Sequence, residues 1–230
     1  LICHTNSHGD GRHPVLFPSS PEECFTMAQE AFDVAERLQT PVFVLTDLDL
    51  GMNNWMADPF PYPGKPFDRG KVLDAAGVER LKETWGRYRD LDGDGVPWRT
   101  LPGTDHPNAA YFTRGSGHNE AAGYTEKPDD YVKNVERLAR KLDGARESLP
   151  GPVIEDRPGA TRGLLAFGTS HYGTTEGRDR LERDHALPLD YLRLRALPVS
   201  AAVKSWIARH EVVYVVEQNR DAQLTALLRD

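Results

Sequence analysis

Glu211-Val212-Val213-Tyr214-Val215-Val216-Glu217-Gln218-Asn219-Arg220-Asp221-Ala222-Gln223-Leu224 decides how this chain is read. Val212 to Val216 is an unbroken apolar run with four β-branched residues. A run this short suits a strand covered on both faces better than a buried helix. The polar turn Gln218-Asn219-Arg220 follows, and Ala222, Leu224 and Leu227 then recur at helical spacing. This is a strand feeding directly into a helix. In parallel α/β sheets, ligands and partner surfaces gather at such junctions. The pattern alone is equally that of an α/β edge without chemistry of its own.

Upstream, the same alternation of strand and helix recurs. Gly163 to Phe167 and Leu189 to Leu194 read as strands. Thr174–Asp184, Val199–Arg209 and Ala222–Leu228 read as helices. Residues 151–230 therefore form a three-strand parallel α/β unit. Near the start, Val15-Leu16-Phe17 and Val42 to Thr46 are strands flanking one helix. Ser20 is its N-cap, Pro21 its first residue and Glu23 the far arm of a capping box. Cys24, Phe25, Ala28, Ala31, Phe32, Ala35 and Leu38 mark its apolar side, and Gln39-Thr40-Pro41 ends it. Strand, helix and strand of this length imply parallel pairing and a right-handed crossover in residues 1–55. Two such short strands make a small sheet, too small to bury a core alone.

Residues 56–150 join these units. Pro59, Pro61, Pro63 and Pro66 keep the first part extended, and Trp85, Tyr88, Trp98, Tyr111 and Phe112 are its expected apolar anchors. A structureless loop this long is uncommon inside a compact domain, so an ordered excursion is expected. It ends in a helix over 129–149, with Val132, Val135, Leu138, Ala139 and Leu142 on one face. Lys133, Glu136, Arg137, Arg140 and Lys141 lie on the other.

Composition narrows the function classes. The chain has 230 residues, with 28 Lys and Arg against 35 Asp and Glu, a formal charge of −7. That balance argues against a general nucleic-acid or anionic-membrane binder. No apolar stretch approaches the roughly 18 residues of a membrane span. Cys3 and Cys24 have no CxxC spacing, so no disulfide scaffold, zinc site or iron–sulfur cluster is expected from this chain alone. A reducing cytoplasm is the expected compartment. Leu1-Ile2-Cys3-His4 reads as the middle of a domain, and both ends are expected to be cut.

Four stretches carry residue types suited to chemistry. Asp90-Leu91-Asp92-Gly93-Asp94-Gly95 begins like a calcium loop, but its twelfth position is Leu101 and Pro97 lies inside, so it reads as a tight Asp–Gly turn. Thr113 to Glu120 is glycine-rich; Arg114 could clamp a carboxylate or phosphate beside the imidazole of His118. His8-Gly9-Asp10-Gly11 pairs an imidazole with a carboxylate, as an acid–base couple or as turn chemistry. Gly168-Thr169-Ser170 stands where a phosphate cradle would, between strand and helix, without the GxGxxG or GKS pattern. No GxSxG elbow supports a serine hydrolase. Asp47 and Asp49, after the second strand, read as a solvated turn with one helix cap.

The wording of several stretches is similar to one family. Val-Tyr-Val-Val-Glu-Gln-Asn-Arg-Asp-Ala-Gln-Leu at 213–224 resembles the strand and helix of the transketolase C-terminal-type domain in 2-oxoacid:ferredoxin oxidoreductase alpha subunits, closest to the 2-oxoglutarate branch. His8 to Gly11, Pro18 to Phe25 and Thr40 to Asp47 resemble the second half of that subunit's thiamine-pyrimidine domain. Asp92 to Gly103 and Tyr111 to Glu120 resemble its inter-domain segment. The resemblance covers nearly the whole chain, in order. It implies a partial parallel thiamine-pyrimidine domain at 1–55, an irregular connecting segment at 56–150, and a three-layer α/β transketolase C-terminal-like domain, itself truncated, at 151–230.

The resemblance also implies a function. The family oxidatively decarboxylates a 2-oxoacid on thiamine diphosphate, forms an acyl-coenzyme A and passes electrons to ferredoxin. The family's Tyr-Pro-Ile-Thr-Pro signature, its substrate-binding Thr and Arg, and the Glu that activates the aminopyrimidine have no counterpart here. They lie upstream of residue 1, so no catalytic residue is expected in this chain. The diphosphate, magnesium and iron–sulfur sites belong to the partner beta subunit, in an expected heterotetramer. His8, Asp10, Arg114 and His118 are the candidates for a pocket or interface. Another thiamine enzyme, such as a transketolase or a 2-oxoacid dehydrogenase beta chain, stays open, as does a non-catalytic assembly module.

Overall fold

The computed structural model describes residues 1–7, 11–81, 85–113 and 117–229. It is a mixed α/β structure built on two sheets. After a short helix α1 (Ile2–Thr5), strand β1 (Val15–Leu16) pairs in parallel with β2 (Phe43–Val44) across helix α2 (Pro21–Leu38). The parallel pair and the helix between its strands are as the sequence spacing predicts. The α2 N-terminus also follows the local code, since the Ser20 side chain accepts the Glu23 backbone N–H. The reciprocal arm differs. The Glu23 carboxylate accepts the N–H and hydroxyl of Ser19, not the N–H of Ser20.

The buried face of α2 also departs from expectation. Met27, Val34 and Leu38 point inward, while Phe32 is 64% exposed. Phe25 and Phe32 instead receive Phe60 and Phe67 from the proline-rich excursion, with ring centroids 5.0 and 5.7 Å apart. The helix thus has two apolar partners, and the sequence pattern merged them into one face.

After helix α3 (Leu48–Met52), the excursion carries little regular structure beyond helix α4 (Ala75–Leu81) and a bridge between Val72 and Arg99. It is nonetheless ordered by packing: Leu73, Val78, Val96, Ala109 and Ala122 are buried. Trp85, Tyr88 and Trp98 are half-buried anchors, whereas Phe112 is 81% exposed and anchors nothing. Gln39, at the end of α2, donates to the Pro97 carbonyl at 2.6 Å.

Helix α5 (Pro128–Ala145) runs into a 3-10 turn, Arg146–Ser148. Its expected apolar face is not its most buried one. Val132 is 49% exposed, while Arg137 on the charged side is buried. The reason lies in the Asp90–Gly95 loop, which lies against that charged side; a Cβ at Gly95 would overlap the Lys141 nitrogen and the Arg137 carbonyl.

The second sheet has the order β3-β5-β4-β7. Strands β4 (Arg162–Phe167), β5 (Asp190–Leu194) and β7 (Val212–Val216) are mutually parallel, as expected. Strand β3 (Val153–Glu155), which adds antiparallel to β5, was not expected from the residue pattern. Helices α6 (Ser170–His185), α7 (Ala201–Ala208) and α8 (Gln223–Arg229) follow β4, β5 and β7. Strand β7 is an edge strand, not one covered on both faces: Val212 and Tyr214 are 41% and 47% exposed.

One core spans both sheets, joining Val15 and Phe17 to Leu165, Leu192, Leu194, Val203 and Trp206. Trp206 is fully buried over Gly163, where any Cβ would collide with the indole. Strand β6 (Ala196–Leu197) binds the halves further by pairing antiparallel with β1. It supplies the third strand that the first sheet lacks.

Candidate functional site

The parallel strands of the two sheets end near one another. At the end of β2, the Asp47 carboxylate caps α3 by accepting the Leu50 N–H. Its other oxygen accepts the Thr169 N–H at 2.9 Å and the Thr169 hydroxyl at 2.7 Å. Burial alone would raise the Asp47 carboxyl, but the Thr169 hydrogen bonds and backbone N–H groups outweigh it and hold it below the usual range. Gly168 adopts φ +59° to bring the turn against that carboxylate. The Gly168-Thr169-Ser170 position therefore already holds an anion, supplied by the protein itself. The Asp49 carboxylate, by contrast, accepts from Asn53 nearby, and the Asp49 carbonyl accepts the Trp55 indole N–H at 2.9 Å.

Beside this junction lies an ion pair that the sequence did not disclose. Arg193 donates from Nη1 to Glu23 Oε2 and to Ser19 Oγ, both at 2.6 Å, and from Nη2 to Glu23 Oε1 at 2.9 Å. The Arg195 guanidinium is 3.2 Å from the same carboxylate. Burial pushes the Glu23 carboxyl up, yet Arg193 and Ser19 dominate and bring it down to about 2. Nothing local announces this pair, since its members are 170 residues apart.

A groove of about 1260 Å³ lies on the far side of α5. Its floor is the apolar stripe the sequence marked on α5, Val135, Leu138 and Leu142, facing Ile207 of α7 and Leu227 and Leu228 of α8. Its rim is mostly basic: Arg12, Lys127, Arg146, Lys204 and Arg229 against Glu126 and Asp143. Ser7, Gly11 and Arg12 line it from one side, and Gly117 and His118 from another. These residues flank the two candidate clusters. His8, Asp10 and Arg114 themselves lie outside the described residues.

His118 is the candidate that can be placed. Its ring stacks on Tyr88 at 3.8 Å, and its Nδ1 lies 3.3 Å from the Asn119 carbonyl. Burial lowers its pKa, and the charges of Arg137 and Arg87 lower it further, so it is neutral at pH 7.

The Asp90–Gly95 loop proves to be a turn with a resident cation. Asp90 accepts the Gly93 and Gly95 N–H groups, both at 2.9 Å. The Lys71 amine sits among Asp92 Oδ2 (2.6 Å), Asp94 Oδ1 (2.8 Å) and the Val96 carbonyl (3.0 Å). A lysine ammonium therefore takes the place a metal would seek, and with that amine in position the oxygens of the loop are already engaged. Among the described residues, no group of His, Cys, Asp or Glu is arranged to hold a metal ion.

No protein-family model matches the chain. It is 29% identical over 231 residues to the 2-oxoacid:ferredoxin oxidoreductase 2 alpha subunit of Aeropyrum pernix, covering 97% of this chain and 34% of that protein. It is 26% identical over 235 residues to the 2-oxoglutarate oxidoreductase subunit KorA of Mycobacterium tuberculosis, covering 96% and 33%. Its fold matches that of a 2-oxoglutarate:ferredoxin oxidoreductase from Magnetococcus marinus, solved with 2-oxoglutarate, coenzyme A and succinyl-CoA bound. That match has a TM-score of 0.82 at 24% identity, over 99% of this chain and 39% of the other. The likeness to 2-oxoacid:ferredoxin oxidoreductase alpha subunits thus runs along almost the whole sequence. The chain spans about a third of the length of these two relatives.

Proposed function

We propose that this chain is part of the alpha subunit of a thiamine-diphosphate-dependent 2-oxoacid:ferredoxin oxidoreductase. The reaction is oxidative decarboxylation of a 2-oxoacid, 2-oxoglutarate in the first instance, to an acyl-coenzyme A with electrons passed to ferredoxin. The observation that carries this reading is alignment to such alpha subunits over 97% of the chain. The order of the two α/β units and the excursion agrees with it. The 2-oxoglutarate preference leans on the name of one relative and on the ligands of the matching structure.

Within that assembly this chain positions and encloses; it does not carry the reacting groups. Thiamine diphosphate, when bound, supplies the electron sink for decarboxylation. Its magnesium is assigned to the beta subunit, because the acidic loop here is filled by Lys71. The iron–sulfur cluster is assigned there too. The groove between α5, α7 and α8, lined in part by Ser7, Gly11, Gly117 and His118, is taken as the pocket wall or subunit interface. The enzyme is a cytoplasmic heterotetramer of alpha and beta subunits, and this chain alone is inactive. Among the described residues no helix is long and apolar enough to cross a membrane.

The test is reconstitution. The chain, completed with the remaining alpha-subunit residues of its relatives, is co-expressed with a beta subunit and supplied with thiamine diphosphate, magnesium and coenzyme A. Reduction of ferredoxin that depends on 2-oxoglutarate and coenzyme A is the expected result. A complex that binds thiamine diphosphate but turns over no 2-oxoacid would overturn the reading.

A further inference from the structure

The two edges of the second sheet are treated differently. Strand β3, at one edge, is three residues long and follows Gly151-Pro152. It carries Glu155, whose carboxylate is held by Arg178. Shortness, proline and charge are the usual devices that keep an edge from pairing with further chain. Strand β7, at the other edge, has none of them. Val212–Val216 is five apolar residues with no charge, proline or glycine. Every second residue of an edge strand turns its N–H and C=O away from its neighbour. Among the described residues no strand lies beyond β7 to receive them.

One face of β7 is bare as well. Tyr191, Leu164 and Tyr214 are register neighbours across β5, β4 and β7, so they share a face. Tyr191 is fully buried, with the Arg178 guanidinium of α6 5.5 Å from its ring centroid. Leu164 is half-buried and Tyr214 is exposed. Helix α6 thus covers this row at β5 and leaves it open at β7. Val212, two residues before Tyr214 and on the same side, is exposed too. The opposite face is closed, since Val213 and Val215 pack on the shared core with Leu224 of α8. The strand is therefore held along one edge and one face, and offers the other edge and face as an apolar template.

We infer that β7 is a strand-addition site, filled by an extended apolar segment from the alpha-subunit residues outside this chain. The inference rests on the alpha-subunit reading above. This chain spans about a third of the length of its relatives, so most of that subunit's polypeptide is available to supply the segment. A segment on the same polypeptide docks at high effective concentration, and main-chain hydrogen bonds then suffice without the association cost of a separate partner. A second copy of the chain fits less well. Edge-to-edge pairing of two copies is antiparallel about a two-fold axis. Centred on Tyr214, it sets Glu211 opposite Glu217 twice, and like charges directly opposite are destabilising. Glu217 is not free to turn away, because it accepts the Leu224 and Thr225 N–H groups at the start of α8.

Amide hydrogen exchange tests this on the chain and on the chain completed with the remaining alpha-subunit residues of its relatives, each at two concentrations. In the chain alone, alternate amides of Val212–Val216 should exchange freely while those facing β4 are protected. In the completed subunit the free set should slow by about 100-fold or more. Lysine at both exposed positions, Val212→Lys with Tyr214→Lys, should leave the urea midpoint of the chain alone unchanged and abolish the slowing in the completed subunit. No slowing on completion, or slowing that survives the two lysines, would overturn the inference. Slowing that appears in the chain alone at the higher concentration would assign the edge to a second copy. Slowing that appears only when a beta subunit is added would assign it to that subunit. Either result overturns the inference. Ferredoxin reduction is a separate readout: slowed edge amides in a completed subunit without turnover would sink the enzymatic reading and leave strand addition standing.

Discussion

Replacing Glu23 with Gln should unlatch the two halves of the molecule. The Glu23 side chain is 18% exposed and that of Arg193 8%, so the pair is shielded from solvent. The substitution keeps the shape and an oxygen for Ser19, but leaves Arg193 buried without its charge partner. Breaking such a pair from one side costs about 3–5 kcal/mol. Titration gives an independent figure. Lowering the Glu23 carboxyl from 4.5 to about 2 corresponds to about 3 kcal/mol at ~1.36 kcal/mol per pH unit. The folded-state value is the depressed one, so this stability is fully present above pH 4.5 and drains away as pH falls through about 2. About 2 kcal/mol of it should be gone by pH 3. Urea unfolding at pH 7 and pH 3 reads both quantities. The unaltered chain should lose this increment on acidification, while Glu23→Gln should be weak at pH 7 and lack that part of the pH response. Glu23→Gln with Arg193→Met should recover much of the loss, because neither charge is then stranded. A Glu23→Gln variant within about 1 kcal/mol of the parent, with the same pH response, would show that the latch carries no stability.

Three further outcomes follow from the packing. Asp47→Asn should cost about 1–2 kcal/mol and speed hydrogen exchange at the Thr169 amide, because one carboxylate serves both the α3 cap and the Thr169 contacts. Gly163→Ala should lower the urea midpoint by the equivalent of about 1–3 kcal/mol, since the new methyl meets the Trp206 indole in a filled core. Lys71→Met should cost about 1 kcal/mol, limited by the partial exposure of Asp92 and Asp94 (44% and 52%). Thermal melts of that variant should then rise with millimolar calcium, whereas the parent should not respond.

What the sequence disclosed was local. Ser20-Pro21 marks the start of α2 because a cap needs only neighbouring residues, and the β-branched run of Val212–Val216 marks β7 because a pleated surface selects such side chains. What it concealed depends on distant partners. The capping-box rule assigned Glu23 to its own helix terminus, while its carboxylate serves Arg193 across the fold. Periodicity found the apolar stripe on α5 but could not show that the Asp90–Gly95 loop would bury the charged side. Likewise Val212–Val216 reads as a central strand, because a short run has no means of recording that nothing pairs beyond it. Of the candidate site residues, His118 could be singled out from its glycine-rich setting, but not its stack on Tyr88.

The loan of β6 to the first sheet bears on the order of events during synthesis. Strands β1 and β2 and helix α2 are made well before Ala196–Leu197, the antiparallel neighbour of β1. Ser19 likewise waits for a guanidinium 174 residues later. A nascent chain lacking those residues has a sheet of β1 and β2 alone, with both edges open, a state expected to stay soft and sensitive to proteases. Contacts this far apart in sequence make for slow assembly, because the closure entropy is spent before they form. Piece-by-piece maturation is thus closed to this part of the polypeptide: the β1–β2 segment acquires its third strand only once β6 has been made.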